Sequence, residues 1–124
     1  DDCRQQIWVG AGIGITPFIA RMKHLAKAPD GRTIHLFHPT GQYEQAAIDK
    51  LTADAQAAGI SLHILACKDG RRLSADMIRE EVPGWQESSV WFCGPSAFGA
   101  SLRNELQAQG LPADHFHQEL FEMR

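Results

Sequence analysis

Short segments rich in β-branched and aromatic residues alternate along this chain with segments of helical periodicity. Between the strand-like segments, apolar residues recur every three or four positions, as an amphipathic helix requires. Such alternation predicts βαβ units, and therefore a three-layer α/β domain with a doubly wound parallel sheet of about five strands. The five predicted strands are QIWV (6–9), TIHLFH (33–38), SLHILAC (61–67), SVWFC (89–93) and HFHQELF (115–121).

Four helices are predicted between these strands, and three of them carry a clear apolar stripe. A length of 124 residues suits one domain that these elements close around one sheet. The predicted helices are 17–27 with Phe18, Met22 and Leu25, 43–58 with Ile48, Leu51 and Ala55, 74–81, and 96–109 with Phe98, Leu102 and Leu106.

Composition excludes several classes of function. The formal net charge of −3 disfavours nucleic-acid binding, which requires a basic surface. The three cysteines form no C-x-x-C pair, which indicates a reducing, cytoplasmic location rather than a disulfide framework. His115 and His117 alternate along one strand with no third ligand nearby, so no metal site is predicted.

A glycine-rich loop, VGAGIGITPF, follows the first predicted strand. It matches neither the dinucleotide pattern G-x-G-x-x-G nor the Walker pattern. Gly10, Gly12 and Gly14 allow close approach of the backbone, while Thr16 and Pro17 are typical of a helix start. Free amides and partial positive charge at that start favour an anion such as phosphate. The alternative is a tight turn that needs glycine only for packing.

A second unusual loop, CGPSAFG, follows the fourth predicted strand. In open α/β sheets, ligands bind at the carboxyl ends of the strands, where the strand order reverses. The two loops are therefore candidates for one site. The alternative for Cys93 is a small buried apolar residue, which is common for a free cysteine.

GAGIGITPF resembles the first nucleotide loop of the ferredoxin–NADP reductase superfamily, written G-G-x-G-x-T-P. Ala11 replaces the second glycine of that pattern. The resemblance implies that Gly10, Gly12, Gly14, Thr16 and Pro17 hold the pyrophosphate of NADH or NADPH.

The second loop and the C-terminal segment resemble the same superfamily. The resemblance implies that Cys93, with Gly94 and Pro95 shaping the turn, contacts the nicotinamide at the carbon that gives up hydride. In HFHQELFEMR, Glu119 and Phe121 occupy the places of a Glu-x-aromatic motif of the superfamily. The resemblance implies that the ring of Phe121 covers the flavin and competes with nicotinamide for its face. A core position on an edge strand is the alternative for Phe121. The full sequence, with the segment GRRLSADMI in its middle, is most similar to the C-terminal module of bacterial ferric reductases and related haem-containing transmembrane flavoproteins.

The segment after the second strand, FHPTGQYEQ, is where this superfamily distinguishes NADPH from NADH. His38 and Thr40 are the cofactor-binding candidates there. No Arg or Lys lies between His38 and Lys50 to hold a 2′-phosphate, which slightly favours NADH. NADPH stays open as the alternative, because basic residues after the third strand could reach the adenosine end of the cofactor. These residues are Lys68, Arg71 and Arg72.

The resemblance also implies partners. The flavin motif R-x-Y-S/T of the superfamily is absent, so residues 1–124 are interpreted as a single NAD(P)H-binding domain of a longer protein. FAD would be bound mainly by an upstream flavin-binding domain in cis. A haem-bearing membrane domain is a further candidate partner, with the chain at the cytoplasmic face of the inner membrane. The predicted function is hydride transfer from nicotinamide to FAD and onward electron transfer to haem or ferric iron. The alternative is a non-catalytic nucleotide-binding or regulatory domain.

Overall fold

The computed structural model describes residues 5–11, 15–27, 33–40, 45–66, 75–94 and 96–118. The predicted strands and helices are confirmed within these ranges, with ends that shift by one or two residues, and the fifth strand is short. None of the described helices is long and apolar enough to cross a membrane. The elements are β1 (Gln5–Gly10), α1 (Thr16–Lys27), β2 (Thr33–Thr40), α2 (Gln45–Ala58), β3 (Ser61–Ala66), α3 (Ala75–Glu81), β4 (Ser89–Cys93), α4 (Ser96–Ala108) and β5 (Phe116–His117).

The five strands form one parallel sheet in the order β3-β2-β1-β4-β5. The chain starts at the central strand β1, builds outward through β2 to β3, and then crosses to the other side of β1 to add β4 and β5. This order confirms the predicted doubly wound α/β fold. It also fixes the point between β1 and β4 at which the winding reverses.

Alternate side chains of β1 supply two separate apolar cores. Trp8 lies in the cluster under α1 and α2, where its ring stacks on Phe18 with centroids 5.2 Å apart. Ile7 and Val9 point to the opposite face, into the cluster under α3 and α4. Because both faces of the central strand are covered, β1 is apolar at every position from 7 to 9. This arrangement is the predicted three-layer structure.

The stripe of α4 differs from the prediction by one position. Gly99, rather than Phe98, joins Leu102 and Leu106 on the buried face. A Cβ at Gly99 would lie 2.8 Å from Cδ1 of Phe92, so the helix approaches the sheet too closely there for a side chain. Phe98 lies beside this contact and packs edge-on against Phe92, with centroids 5.4 Å apart.

Two half-buried histidines meet across β2 and β3. Nδ1 of His35 lies 3.2 Å from Nε2 of His63, and the ring of His63 also stacks on Phe37. Burial, and then the neighbouring His63, lower the pKa of His35 from its ordinary 6.5, while Glu81 acts in the opposite direction. The neutral form of His35 is therefore the one that the fold stabilises.

His35 makes the free energy of unfolding fall on acidification. Because the folded pKa of His35 lies below its ordinary 6.5, the unfolded chain binds the proton first as the pH falls through that value. The free energy of unfolding stops falling once the pH passes below the pKa of His35 in the folded state. We expect a lower urea midpoint at pH 5.5 than at pH 7.5, and a smaller decrease for His35→Gln. His24→Gln, which changes an exposed residue of α1, is the control. An equal decrease for His35→Gln and the wild type would contradict this account.

Candidate functional site

The loops after β1 and β4 leave the sheet at the point where its winding reverses. In the register of these strands, Gly10 is paired with Cys93, so the last residues of both strands lie side by side. Residues 10–16 then lead into α1, and Gly94 leads toward α4. The structure therefore brings the two loops that were singled out from the sequence to one edge of the sheet.

The two loops are joined by a backbone hydrogen bond. The N–H of Ala11 donates to the carbonyl of Cys93 at 2.9 Å. This bond continues the β1–β4 pairing one residue beyond the strand, into the glycine loop. The position of the first loop is thus tied directly to the residue that the sequence analysis places beside the nicotinamide.

Gly94 lies in close contact with Ala11. A Cβ at position 94 would lie 2.7 Å from Cβ of Ala11 and 3.2 Å from Cζ of Phe92. Real Cβ atoms essentially never approach other heavy atoms below 3.0 Å. Glycine at 94 is therefore what allows the two loops to touch while residue 11 is an alanine.

Gly10 has a packing role. A Cβ there would meet Cα of Ile15 at 2.9 Å and Cδ2 of Phe18 at 3.0 Å. Absence of a side chain thus lets the start of α1 lie directly against the end of β1. At this one position of the glycine loop, packing alone accounts for the glycine, and cofactor binding by Gly10 stays a prediction.

The start of α1 has the properties of an anion-binding helix end. The helix begins at Thr16, one residue earlier than predicted, so Pro17 occupies the first turn, where its missing N–H costs nothing. Thr16 is exposed. The first turn has no acidic residue, while His24 and Lys27 lie in the last turn. The partial positive charge at the start of the helix is therefore not offset by side chains of that turn.

Cys93 is half-buried and packs against the cluster under α1 and α2. Burial raises the pKa of its thiol above the ordinary 9.0, so the group is a neutral thiol at pH 7. A nucleophilic role requires a thiolate. Packing against this cluster also fits the alternative of a small buried apolar residue, and the role beside the nicotinamide stays a prediction.

His38, a predicted cofactor-binding residue, lies near the carboxyl end of β2 and is only 7% exposed. Its Nδ1 donates to the carbonyl oxygen of Gly10 at 2.6 Å, because a carbonyl can only accept. The side chain is thus held against the start of the glycine loop. This contact between β2 and the loop could not be predicted from the sequence, since it depends on which strand lies beside β1.

Other predicted site residues lie outside the described part of the structure. These are Gly12 and Gly14 of the first loop, Pro95 of the second, Glu119 and Phe121 near the C-terminus, and the basic residues Lys68, Arg71 and Arg72. The backbone of Thr40 ends β2, at the same edge as the two loops, while its side chain lies outside the description. The roles of all these residues stay predictions.

Known proteins resemble the chain over nearly its whole length. No protein-family model matches it. The carnitine monooxygenase reductase subunit of Escherichia coli is 31% identical over 120 residues, which covers 95% of this chain and 35% of that protein. The heme-dependent oxidative N-demethylase beta subunit of Ectopseudomonas mendocina is 29% identical, with 97% and 37% covered. A flavohemoprotein of Oceanobacillus iheyensis is 19% identical, with 97% and 32% covered. The chain thus spans about a third of the length of these relatives.

A solved structure shares the fold. The crystal structure of the Amycolatopsis cytochrome P450 reductase GcoB superposes with a TM-score of 0.69 at 24% identity, and the match covers 96% of this chain and 38% of that one. The sheet order, the joined loops at its edge and these relatives agree with the resemblance seen in GAGIGITPF and CGPSAFG. The resemblance is thereby confirmed: the chain is similar to ferredoxin–NADP reductase-like NAD(P)H-binding modules over nearly its whole length.

Proposed function

We propose that this chain seats NAD(P)H for a flavin-dependent reductase. The observation that carries the proposal is the junction of the two loops, in which the N–H of Ala11 bonds to the carbonyl of Cys93. Beside this junction lie the start of α1, whose first turn has no acidic residue, and the half-buried thiol of Cys93. A dinucleotide needs both features: a site for its pyrophosphate and a site for its reactive ring.

The residues present fit such a cofactor. The close packing at Gly10 and Gly94 holds the start of α1 and the two loops together at this edge, and the first turn of α1 brings no acidic residue to repel phosphate. In the proposal, Thr16 and the amides at the start of α1 hold the pyrophosphate. Cys93 and Gly94 set the position of the nicotinamide ring. When bound, the nicotinamide supplies a hydride, and FAD supplies its acceptor.

We propose that FAD is bound mainly by a flavin-binding domain in cis, because the chain spans only about a third of relatives such as the carnitine monooxygenase reductase subunit. By this proposal the 124-residue chain does not turn over alone. The names of the relatives favour haem or an oxygenase component as the electron acceptor over ferric iron. Attachment to a haem-bearing membrane domain, the ferric reductase assignment and the preference for NADH remain predictions from the sequence.

Cys93→Ala tests the placement of the nicotinamide. In the reductase that joins this chain to its flavin-binding domain, we expect hydride transfer to slow about tenfold or more, because a shift of the reacting ring by a fraction of an ångström is costly. The affinity for NADH should change by less than about threefold, since the pyrophosphate contacts remain. Stopped-flow reduction of the flavin measures the first quantity and a nucleotide titration the second.

Cys93→Ser is the matched control, because it keeps the size and polarity of the side chain, and it should transfer hydride at a rate between those of the wild type and Cys93→Ala. A Cys93→Ala protein with a lowered melting temperature and normal hydride transfer would make Cys93 a residue of the core only. If the wild-type reductase binds NADH and transfers no hydride, the alternative of a non-catalytic nucleotide-binding domain replaces this proposal.

A further inference from the structure

The peptide group between Gly10 and Ala11 is held from both sides. Its carbonyl, that of Gly10, accepts from Nδ1 of His38 on β2 at 2.6 Å. Its N–H, that of Ala11, donates to the carbonyl of Cys93 on β4 at 2.9 Å. This rigid peptide plane, the first after β1, is therefore hydrogen-bonded to β2 through its carbonyl and to β4 through its N–H.

This plane sets the direction in which the glycine loop leaves the sheet. Glycine at position 10 would otherwise give the backbone more freedom than any other residue. A rotation of the peptide group would break both hydrogen bonds, and the backbone bond from Ala11 alone fixes only one end. The bond from His38 removes that remaining freedom.

His38 is well suited to this task and poorly placed for direct contact with the cofactor. Its ring is 7% exposed, and it lies on the same face of β2 as Leu36, which is fully buried under α1 and α2. Its Nδ1 proton is already used by Gly10. A ligand of the 2′-phosphate of NADPH would instead need an exposed, positively charged group.

We propose that His38 is a positioning residue of the nucleotide site, which fixes the orientation of the Gly10–Ala11 peptide before a nucleotide binds. The proposal rests on the function proposed above. It predicts that loss of the Nδ1 donor weakens NADH and NADPH binding equally, because the pyrophosphate is common to both. It also predicts that loss of the donor speeds hydrogen exchange at the Ala11 amide before any nucleotide is added.

Three substitutions separate the hydrogen bond from the bulk of the ring. In His38→Asn, the amide nitrogen can occupy the place of Nδ1 and donate to Gly10. In His38→Gln, the donor is carried one bond farther, near the place of Nε2. His38→Leu has no donor. His35→Leu, on the same strand but away from the loops, controls for the loss of a histidine from β2.

Amide hydrogen exchange and nucleotide titration are the two readouts. In the nucleotide-free chain, we expect exchange at the Ala11 amide to be about tenfold faster in His38→Leu and His38→Gln, and near the wild-type rate in His38→Asn. The dissociation constants for NADH and NADPH should both rise about tenfold in the first two variants, as expected for the loss of one buried hydrogen bond. In His38→Asn, the dissociation constants for NADH and NADPH should lie near those of the wild type.

Selective loss of NADPH binding would make His38 a direct ligand and overturn the proposal. Equal behaviour of His38→Asn and His38→Gln would show that the bond to Gly10 does not matter, and would overturn it as well. Because both of these carry an amide of similar polarity, the comparison holds even if His38→Leu does not fold. If Ala11 exchange responds as expected but the wild type binds neither dinucleotide, the proposed function fails while the effect of His38 on the loop stands.

Discussion

Gly94→Ala should lower the affinity for NADH and NADPH about 100-fold, because forming the site would require the two loops to close against an overpacked contact that costs about 1 to 3 kcal/mol. The new Cβ would lie 2.7 Å from Cβ of Ala11, whereas carbon atoms pack at about 3.5 to 4.0 Å. Neither atom is at the end of a flexible side chain, so the two loops must separate by about 1 Å. Isothermal titration calorimetry of the folded variant measures the loss.

Ala11→Gly provides the rescue. The superfamily pattern has glycine at this position, and the double variant Ala11→Gly/Gly94→Ala removes the contact between the two Cβ atoms. We expect the double variant to recover at least about tenfold in affinity, but not all of it. Gly94 has a φ of +158°, which an alanine rarely adopts, and Cζ of Phe92 still lies 3.2 Å from the new Cβ. Ala11→Gly alone should cost only about 0.5 to 1 kcal/mol of stability.

Gly59→Ala separates a loss of stability from a loss of site geometry. Gly59 has a φ of +72° and nothing within 4 Å of the place of its Cβ, so alanine there strains the backbone without touching a neighbour. It should lower stability by about 1 to 2 kcal/mol and leave nucleotide affinity unchanged. A double variant that binds no better than Gly94→Ala would contradict the contact between Gly94 and Ala11 as the cause.

Local patterns in the sequence were enough to predict the elements of the fold. Phe18, Met22 and Leu25 recur at helical spacing and are the buried residues of α1. Continuous apolar residues in β1 indicate a strand covered on both faces, which Trp8 and Val9 confirm. On α4 the buried face includes Gly99 in place of the predicted Phe98, because the helix lies very close to Phe92 there. Helical periodicity in the sequence gives no sign of such a close contact.

The contacts between the loops could not be predicted, because they depend on strand order. Ala11 and Cys93 are far apart in the sequence and meet only because β4 pairs with β1. His38 reaches Gly10 for the same reason, through the pairing of β1 with β2. The motifs indicated which loops are candidates for nucleotide binding. The two hydrogen bonds to the Gly10–Ala11 peptide and the contact of Gly94 with Ala11 became visible only in the structure.

Thr16→Val should produce the second large effect. Valine has nearly the shape of threonine but no hydroxyl, so the variant removes one hydrogen bond to a charged phosphate. Such bonds contribute about 1.5 to 3 kcal/mol, which corresponds to about a 10- to 150-fold rise in the dissociation constant. Thr16→Ser keeps the hydroxyl and loses only a methyl group, so its affinity should stay within about fourfold of the wild type.

Titration of the isotopically labelled chain with NADH, followed by NMR, tests the central claim most directly. The account predicts saturable chemical-shift changes that centre on the amides of Ala11, Thr16 and Gly94, which lie at the joined loops. It also predicts that Thr16→Val shifts the midpoint to higher concentration by about tenfold or more, while Thr16→Ser shifts it by about fourfold at most. A folded wild-type chain that shows no saturable change at millimolar NADH, or whose changes centre on residues away from this edge of the sheet, would contradict the account.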